Sequence, residues 1–299
     1  MRFSVWPSPQ RPWSEVRDIV LHCDHSGWDG AYFADHFMPD DPEGRPADGP
    51  MLECWSVLSA LAAETTRLRL GSLVSGNLYR HPAVVANAAA TISHISGGRF
   101  ILGLGAGWQV NEHVAYGIDL LGIKDRLDRL EESCAIIGSL LRNERTTYAG
   151  AHFQLTDAPC EPKPLQGDLP LLVGGSGEKR TMRIAAAYAD EWNAWGTADD
   201  FRRRTQVLER HCQAVGRDPG AIARSTQALV YLSTDAAWLR RHSGRSSLVG
   251  TPSKMVDQVG AYENAGVDEL IVPDWTMGSG SRTIDTLSLF IDEVAPNFR

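Results

Sequence analysis

The stretch LPLLVGGSGEKR, residues 169–180, decides the fold through its place in the chain. It is a short apolar strand that runs into a glycine-rich turn and then into the start of a helix. Four predicted strand-and-helix units precede it and three follow it, so the turn comes after the fifth of eight strands. A doubly wound open sheet usually carries such a turn after its first strand. The position therefore favours an α/β fold of the (β/α)8 type, a TIM barrel, over the doubly wound alternative.

Eight short apolar runs are predicted as the barrel strands, and each precedes a segment with helical periodicity or helix-end signals. The predicted strands are residues 2–6, 30–34, 67–74, 99–105, 169–174, 191–195, 224–232 and 269–273. The predicted helices are residues 13–26, 54–64, 81–96, 125–141, 178–188, 199–215, 251–264 and 283–294. We expect insertions after strands 2, 4 and 7, and a small hairpin in TTYAGAHFQL, residues 146–155. Since the composition shows no break, residues 1–299 are predicted to form a single barrel domain.

The composition indicates a cytoplasmic protein that acts on small molecules. The 299 residues carry a formal charge of −8, which argues against nucleic acid as a partner. The chain has no apolar run of about 18 residues, so we predict no membrane span. Its first residues lack the apolar centre of a signal peptide. The five cysteines are scattered without CxxC spacing, which favours a reducing compartment and no metal site.

Chemistry in a (β/α)8 barrel takes place at the carboxyl ends of the strands, and polar residues follow several of the predicted strands. Asp35 and His36 come directly after strand 2. They are suited to acid–base chemistry, or they form an ordinary hydrogen-bonded loop pair. Glu112 and His113 follow strand 4 and are candidates for acid–base or metal chemistry, or for lid and surface positions. Too few further ligands lie near them in the sequence to indicate a metal.

The turn after strand 5 has the composition of an anion-binding loop. Its residues are Gly174, Gly175, Ser176 and Gly177. Free backbone N–H groups before a helix, together with the serine hydroxyl, favour a phosphate group. The alternative is a tight turn that binds nothing. The spacing matches neither a Walker loop nor GxGxxG, which disfavours a nucleoside triphosphate.

Tryptophan is frequent near the same strand ends. Trp108, Trp195 and Trp275 are candidates for walls around a flat ring system. Trp192 is predicted to pack in the core instead, because alternation along strand 6 separates it from Trp195. An anion loop, flat walls and a histidine together favour a phosphorylated planar cofactor without choosing one.

Three motifs carry a resemblance to a known family. They are YFADHF at 32–37, GSLVSGNLYRHPAVVANAAATISHISGGRFILGLGAGWQVNEH at 71–113, and LPLLVGGSGEKRTMRIAAAYADEWNAWG at 169–196. In this order they resemble the luciferase-like monooxygenase superfamily. Within it, they resemble the single-barrel oxidoreductases that use the deazaflavin coenzyme F420.

The resemblance implies a cofactor, F420 or alternatively FMN, bound across the barrel mouth. The residues that would hold its phosphate are Gly174, Gly175, Ser176 and Gly177. The residues that would lie near its ring are Leu73, Val74, Ser75, Asn77, Gly105 and Gly107. In F420-dependent members a non-prolyl cis peptide bond supports the ring, and here it is expected at Leu73–Val74 or a neighbouring bond.

The same resemblance implies the catalytic residues. Asp35 and His36 match an Asp-His pair that contacts the ring, in which the histidine acts on the substrate proton. The sugar-phosphate dehydrogenases of the family carry a glutamate after the glycines of strand 4, where this chain has Trp108. This departure leaves the substrate open, and Glu112 is a second candidate for an acid–base role.

Three functions compete at this point. The first is F420-dependent hydride transfer to or from a small organic substrate, with His36 exchanging the proton. The second is an FMN-dependent monooxygenase that is supplied by a separate reductase. The third is a non-enzymatic flavin-binding or degenerate member, which the retained GGSGE turn, the Asp35-His36 pair and the intact turn after strand 3 disfavour. The resemblance further implies a homodimer and an F420 or flavin reductase as partner.

Overall fold

Eight parallel strands close into a barrel in the computed structural model, which describes residues 1–242 and 247–299 of the chain. The strands, numbered in chain order, are β1 (Arg2–Trp6), β2 (Gly30–Phe33), β3 (Arg69–Ser72), β4 (Phe100–Gly105), β5 (Leu171–Gly174), β6 (Glu191–Asn193), β7 (Ala223–Gln227) and β8 (Glu269–Pro273). Each strand pairs with the next along the chain, and β1 also pairs with β8, so the ring is closed. The predicted (β/α)8 barrel is confirmed.

Helices surround the barrel. They are α1 (Trp13–His25), α2 (Cys54–Glu64), α3 (Pro82–Ile95), α4 (Val110–Tyr116), α5 (Ile123–Arg142), α6 (Thr181–Tyr188), α7 (Ala198–Val215), α8 (Ala236–His242), α9 (Pro252–Glu263) and α10 (Ser281–Glu293). Helices α4 and α8 lie in segments predicted only as insertions. With seven residues each, they are too short for helical periodicity to be recognisable in the sequence. No helix in the described part of the chain is both long and apolar enough to cross a membrane.

The apolar core has two parts, which the strands separate. A large outer core lies between the strands and the helices, and a small inner core lies inside the barrel. Strand β4 contributes to both: Phe100 and Leu102 belong to the outer core and Ile101 to the inner one. This distribution follows from the two-residue alternation of side chains along a strand, and it explains why the strands are continuous apolar runs.

Two insertions depart from the barrel pattern. Strands at Thr146–Ala149 and Gln154–Ala158 form the predicted antiparallel hairpin. The single strand predicted at 224–232 is wrong, because β7 ends at Gln227 and the chain then forms a separate strand, Val230–Leu232. That strand pairs in parallel with Leu248–Gly250 outside the barrel. Residues 243–246, in the insertion after β7, lie outside the described residues.

A buried ionic cluster lies at the amino-terminal end of the barrel, where β3, β6 and β8 begin with Arg69, Glu191 and Glu269. The Arg69 guanidinium donates to Glu191 and, at 3.3 Å, to Glu269. Glu269 also accepts from the Ser4 hydroxyl at 2.5 Å and from the Tyr32 hydroxyl at 3.4 Å. Burial and the neighbouring Glu269 carboxylate raise the pKa of Glu191 despite the presence of Arg69. The cluster ties five strands together at the end opposite the predicted site.

Candidate active site

A cavity of about 1060 Å³ opens at the carboxyl ends of the strands, where a (β/α)8 barrel carries its chemistry. Most of the predicted site residues line it: Asp35, His36, Leu73, Val74, Ser75, Gly105, Gly107, Gly174, Gly175 and Ser176. Three other predicted residues, Glu112, Asn77 and Gly177, are close in sequence to residues that line the cavity but do not line it themselves. The topology thus brings residues from β2, β3, β4 and β5 to one cavity.

His36 is held from behind by Glu112. Its Nδ1 lies 2.8 Å from Glu112 Oε1, and the backbone N–H of Phe37 donates to Oε2 at 2.8 Å. The Tyr79 hydroxyl donates to the same Oε1. The Glu112 side chain is fully buried, whereas that of His36 is 22% exposed and faces the cavity. Glu112 therefore acts on the cavity through His36 rather than by direct contact.

The charge state of this group follows from its contacts. Burial alone raises the pKa of Glu112, but the hydrogen bonds and charge of His36 and the donors Tyr79 and Phe37 outweigh it, so the pKa is lowered. Burial and the Glu112 carboxylate raise the pKa of Tyr79 far above its ordinary value. An ionised carboxylate only accepts hydrogen bonds, so His36 carries a proton on Nδ1 and keeps Nε2 for the cavity.

Asp35 has a different role from its neighbour. Its Oδ2 accepts from the Ser75 hydroxyl and the Gly76 N–H, both at 3.0 Å, and from Arg80 at 2.7 Å. Arg80 also donates to Glu53 at 2.7 Å. The other oxygen, Oδ1, is buried without a hydrogen-bond partner among the described residues. Asp35 thus fixes the turn after β3 and leaves one acceptor free at the cavity.

The chain after β3 passes through a cis peptide bond at Leu73–Val74, which confirms the prediction. The strand predicted at 67–74 is therefore shorter, and Ser75–Gly76 pairs with the end of β4 as a separate segment. The Val74 side chain fills space that two glycines leave open. A Cβ at Gly105 would lie 2.5 Å from Val74 Cγ2, and one at Gly174 would lie 2.8 Å from Cγ1. These glycines admit Val74 to the cavity floor.

The glycine-rich turn after β5 is partly free. Gly175 has a φ of +136° and donates its N–H to the Asn193 carbonyl at 2.8 Å. Ser176 and Gly177 are exposed, and within the described residues their N–H groups donate no backbone hydrogen bond. Helix α6 begins at Thr181, so the helix start predicted at residue 178 is three residues early. A separate turn at 178–180 therefore lies between the loop and the helix.

Tryptophan side chains occupy both sides of the mouth. Trp108 meets the His36 ring edge-on, with 5.5 Å between ring centroids. On the opposite side, Trp6 lies 5.0 Å from Trp275 and 6.1 Å from Trp195. Trp192 is fully buried and donates its N–H to the Gly175 carbonyl at 2.9 Å, as its predicted core position requires.

His113, the second candidate after β4, is not part of the cavity. Its Nδ1 lies 3.0 Å from the Ile118 carbonyl, and its ring packs on Tyr79 with 5.0 Å between centroids. In residues 1–242 and 247–299, no group of three or more His, Cys, Asp or Glu side chains is arranged to hold a metal ion.

Four residues of the site were not singled out from the sequence. Tyr79 and Arg80 belong to the SGNLYRHP segment, whose polar character after a barrel strand was the available signal. Trp6 and Gln227 stand at the carboxyl ends of β1 and β7, so the strand-end rule applied to those strands would have found them. The contacts of Tyr79 and Arg80 with carboxylates 33 and 45 positions away carry no signal in the sequence.

Fold and site together define a class: a (β/α)8 barrel with a ligand-sized cavity at its carboxyl end and a carboxylate-backed histidine in the cavity wall. The chain belongs to the luciferase-like monooxygenase family, whose sequence model matches residues 1–246. The resemblance stated from the motifs is therefore confirmed for the family.

Curated relatives cover most of this chain. It is 30% identical over 226 residues to an F420-dependent glucose-6-phosphate dehydrogenase of Kineococcus radiotolerans, which covers 75% of this chain and 65% of that protein. It is 28% identical over 275 residues to an F420-dependent hydroxymycolic acid dehydrogenase of Mycobacterium tuberculosis, which covers 87% and 72%. The chain spans between 50% and 65% of the length of three curated glucose-6-phosphate dehydrogenases that it matches.

Solved structures share the fold over the whole chain. An F420-dependent secondary alcohol dehydrogenase in complex with an F420-acetone adduct matches with a TM-score of 0.85 at 17% identity, covering 100% of this chain and 99% of that one. A monooxygenase from Streptomyces bottropensis matches with a TM-score of 0.85 at 18% identity, covering 100% of both. At these identities the likeness concerns the fold alone.

Proposed function

We propose that this chain is an F420-dependent oxidoreductase that transfers a hydride between the deazaflavin and a small organic substrate. The observation that carries the proposal is His36, which lines the cavity and is held through Nδ1 by a buried, ionised Glu112, so that Nε2 is left for a ligand. The curated relatives named above support the choice of cofactor, because both are F420-dependent by name.

The residues of the cavity fit a phosphorylated planar group. The free N–H groups of Ser176 and Gly177 and the Ser176 hydroxyl suit its phosphate. Val74 and Asp35 line the same cavity, and they support the proposal that a flat ring binds beside them. When bound, the deazaflavin would serve as the two-electron hydride carrier, and the protein would bind and shield its ring.

The chain itself supplies the proton transfer. When a secondary alcohol becomes a ketone, its carbon loses a hydride with both electrons of the C–H bond, and its hydroxyl loses a proton. The hydride would go to the bound deazaflavin, and His36 Nε2 would take the proton. Glu112 then faces an imidazolium, whose charge it stabilises. In the reverse direction the same nitrogen returns the proton to the carbonyl oxygen.

Titration of the purified protein with F420 and, separately, with FMN tests this proposal through changes in ring fluorescence. We expect saturable F420 binding that is at least tenfold tighter than FMN binding. Tight FMN binding without F420 binding would overturn the proposal in favour of an FMN-dependent monooxygenase. A lack of binding by either ligand would favour a non-catalytic member of the family.

A charge variant of the loop sharpens the same titration. Ser176→Asp places a negative charge beside the free N–H groups, and we expect it to weaken F420 binding at least tenfold. Ser176→Ala is the matched control and should change the affinity by less than about threefold, since it removes one neutral hydrogen bond. A homodimer, a cytoplasmic location and a reductase partner stay predictions.

A further inference from the structure

The cavity has two unlike sides. The side formed by β2 to β5 carries His36, Val74 and the glycine-rich turn, which the proposed function assigns to the cofactor. The other side carries Trp6, Trp195 and Trp275, at or just beyond the carboxyl ends of β1, β6 and β8; we name these three residues the tryptophan wall. Trp195 and Trp275 lie 6.1 Å apart between ring centroids, so the wall is continuous.

The tryptophan wall presents apolar surface to the cavity. Trp195 is 44% exposed and Trp275 is 47% exposed, and both line the cavity. The two side chains pack against Trp6 and against each other, and nearly half of each residue's surface stays exposed. Aromatic side chains of this kind favour flat apolar groups, which stack on them and displace water.

The charge of the cavity disfavours an anionic substrate. Among the described residues that line it, Arg11 is the one Lys or Arg side chain. Its Nε donates to Asp274 at 2.7 Å, its Nη1 to Glu15 at 2.9 Å and its Nη2 to the Gly278 carbonyl at 2.6 Å. The carboxylates of Asp35 and Asp40 also line the cavity. A carboxylate or phosphate on the substrate would find its nearest cation already paired.

Two buried polar atoms on the wall side have no partner among the described residues. They are the indole N–H of Trp6 and the amide oxygen of Gln227, and both residues line the cavity. Trp6 is 6% exposed and Gln227 is 4% exposed. One atom is a donor and the other an acceptor, which together suit a neutral hydroxyl group or its carbonyl counterpart rather than an ion.

We propose that the substrate is an uncharged alcohol or ketone with an aromatic ring, and that this ring binds against the tryptophan wall. The proposal rests on the proposed function for the redox step. It separates this chain from the relatives named for glucose 6-phosphate, whose substrate is a dianionic sugar phosphate.

Calorimetry on the F420-loaded protein tests the proposal with matched probes. The probes are 1-phenylethanol, mandelate, 1-cyclohexylethanol and glucose 6-phosphate. Mandelate replaces the methyl group of 1-phenylethanol by a carboxylate, and 1-cyclohexylethanol replaces its aromatic ring by a saturated one. We expect 1-phenylethanol to bind at least tenfold more tightly than either anion and at least threefold more tightly than the cyclohexyl compound. Equal or tighter binding of mandelate or glucose 6-phosphate would overturn the proposal, and so would equal binding of the cyclohexyl compound.

Variants locate the binding surface. Trp195→Leu and Trp275→Leu should each weaken 1-phenylethanol binding about tenfold while F420 affinity stays within twofold. The matched control is Trp238→Leu, because Trp238 is partly buried against His242 and lies outside the cavity lining. Unchanged binding in both wall variants would contradict the proposal.

The two proposals fail in different ways. Loss of the proposed function appears in the F420 titration as an absence of F420 binding, whatever the probes do. In that case the same four probes are measured on the protein without cofactor. The order of their affinities then decides whether the tryptophan wall selects uncharged aromatic compounds.

Discussion

The two ends of the barrel use the same kinds of side chain for different purposes. At the amino-terminal end, Glu269 accepts a hydrogen bond from Tyr32 and forms an ion pair with Arg69. At the carboxyl end, Glu112 accepts from Tyr79 and pairs with His36. Each end thus has a buried glutamate, a tyrosine and a basic group.

The difference lies in the basic group and in what it faces. Arg69 stays charged throughout the physiological range, and its guanidinium forms ion pairs with two glutamates, Glu191 and Glu269. His36 uses Nδ1 for the hydrogen bond with Glu112, so Nε2 remains for a ligand in the cavity. One cluster joins strands at the amino-terminal end of the barrel, and the other holds a histidine at its mouth. Substitutions at the two ends should therefore separate stability from activity.

The largest effect on activity is expected for His36→Ala. Loss of the group that exchanges the proton should lower turnover by a factor of about 10²–10⁴. Turnover is followed through deazaflavin absorbance with a substrate found by screening alcohols and ketones. The free energy of unfolding should also fall, by about 1–3 kcal/mol, because the buried Glu112 carboxylate loses its hydrogen-bond partner. Unchanged turnover would remove the proton role from His36.

The largest effect on stability is expected for Arg69→Met at the other end. The substitution leaves Glu191 and Glu269 buried together without the cation between them, which should cost about 3–5 kcal/mol. Urea unfolding measures this loss. In the fraction that remains folded, F420 affinity should stay within twofold of the wild type. A selective loss of cofactor affinity would show that the two ends are coupled.

Most of the fold can be predicted from the sequence, because each strand corresponds to a local pattern of residues. Buried parallel strands are continuous apolar runs, and their order places the glycine-rich turn after β5. The exceptions are local backbone events. The chain leaves β3 at Ser72 and β7 at Gln227, although apolar residues continue beyond both points. An apolar run does not reveal where its backbone turns away from the sheet.

The site was predictable only to the level of single residues. The strand-end rule and the resemblance located Asp35, His36 and the glycine-rich turn. The pairing of His36 with Glu112 joins residues 76 positions apart, and the orientation of α4 decides it. For the same reason, Glu112 was predicted as a candidate acid–base residue, whereas the structure places it behind His36 rather than in the cavity lining.

A smaller effect, with opposite signs at the two ends, is expected from pH. The pKa of Glu112 is lowered in the folded protein, so its stabilising contribution is present above the ordinary value of 4.5 and is lost as pH falls through the folded value. The pKa of Glu191 is raised, so its contribution is present below 4.5 and is lost as pH rises through the folded value. Each tenfold change in proton affinity corresponds to about 1.4 kcal/mol.

Neutral variants expose this difference. Between roughly pH 3 and 6, Glu112→Gln should lose stability relative to the wild type as pH rises, because the wild type gains its ionised carboxylate. Glu191→Gln should gain relative stability over the same range. Urea unfolding at several pH values measures both slopes. If the relative stability of both variants changed with pH in the same direction, the pKa values of Glu112 and Glu191 would not be shifted in opposite directions.

The smallest effects are expected for the two tyrosine hydroxyls, which provide a matched pair. Tyr79→Phe and Tyr32→Phe each remove one donor to a buried glutamate and should cost about 0.5–1.5 kcal/mol of unfolding free energy. Only Tyr79→Phe should also change catalysis. Without that donor the pKa of Glu112 rises, so the acidic limb of the pH–rate profile should move to higher pH. A profile that moves equally in Tyr32→Phe would mean that both hydroxyls act through general stability, and that Tyr79 does not position the His36–Glu112 pair.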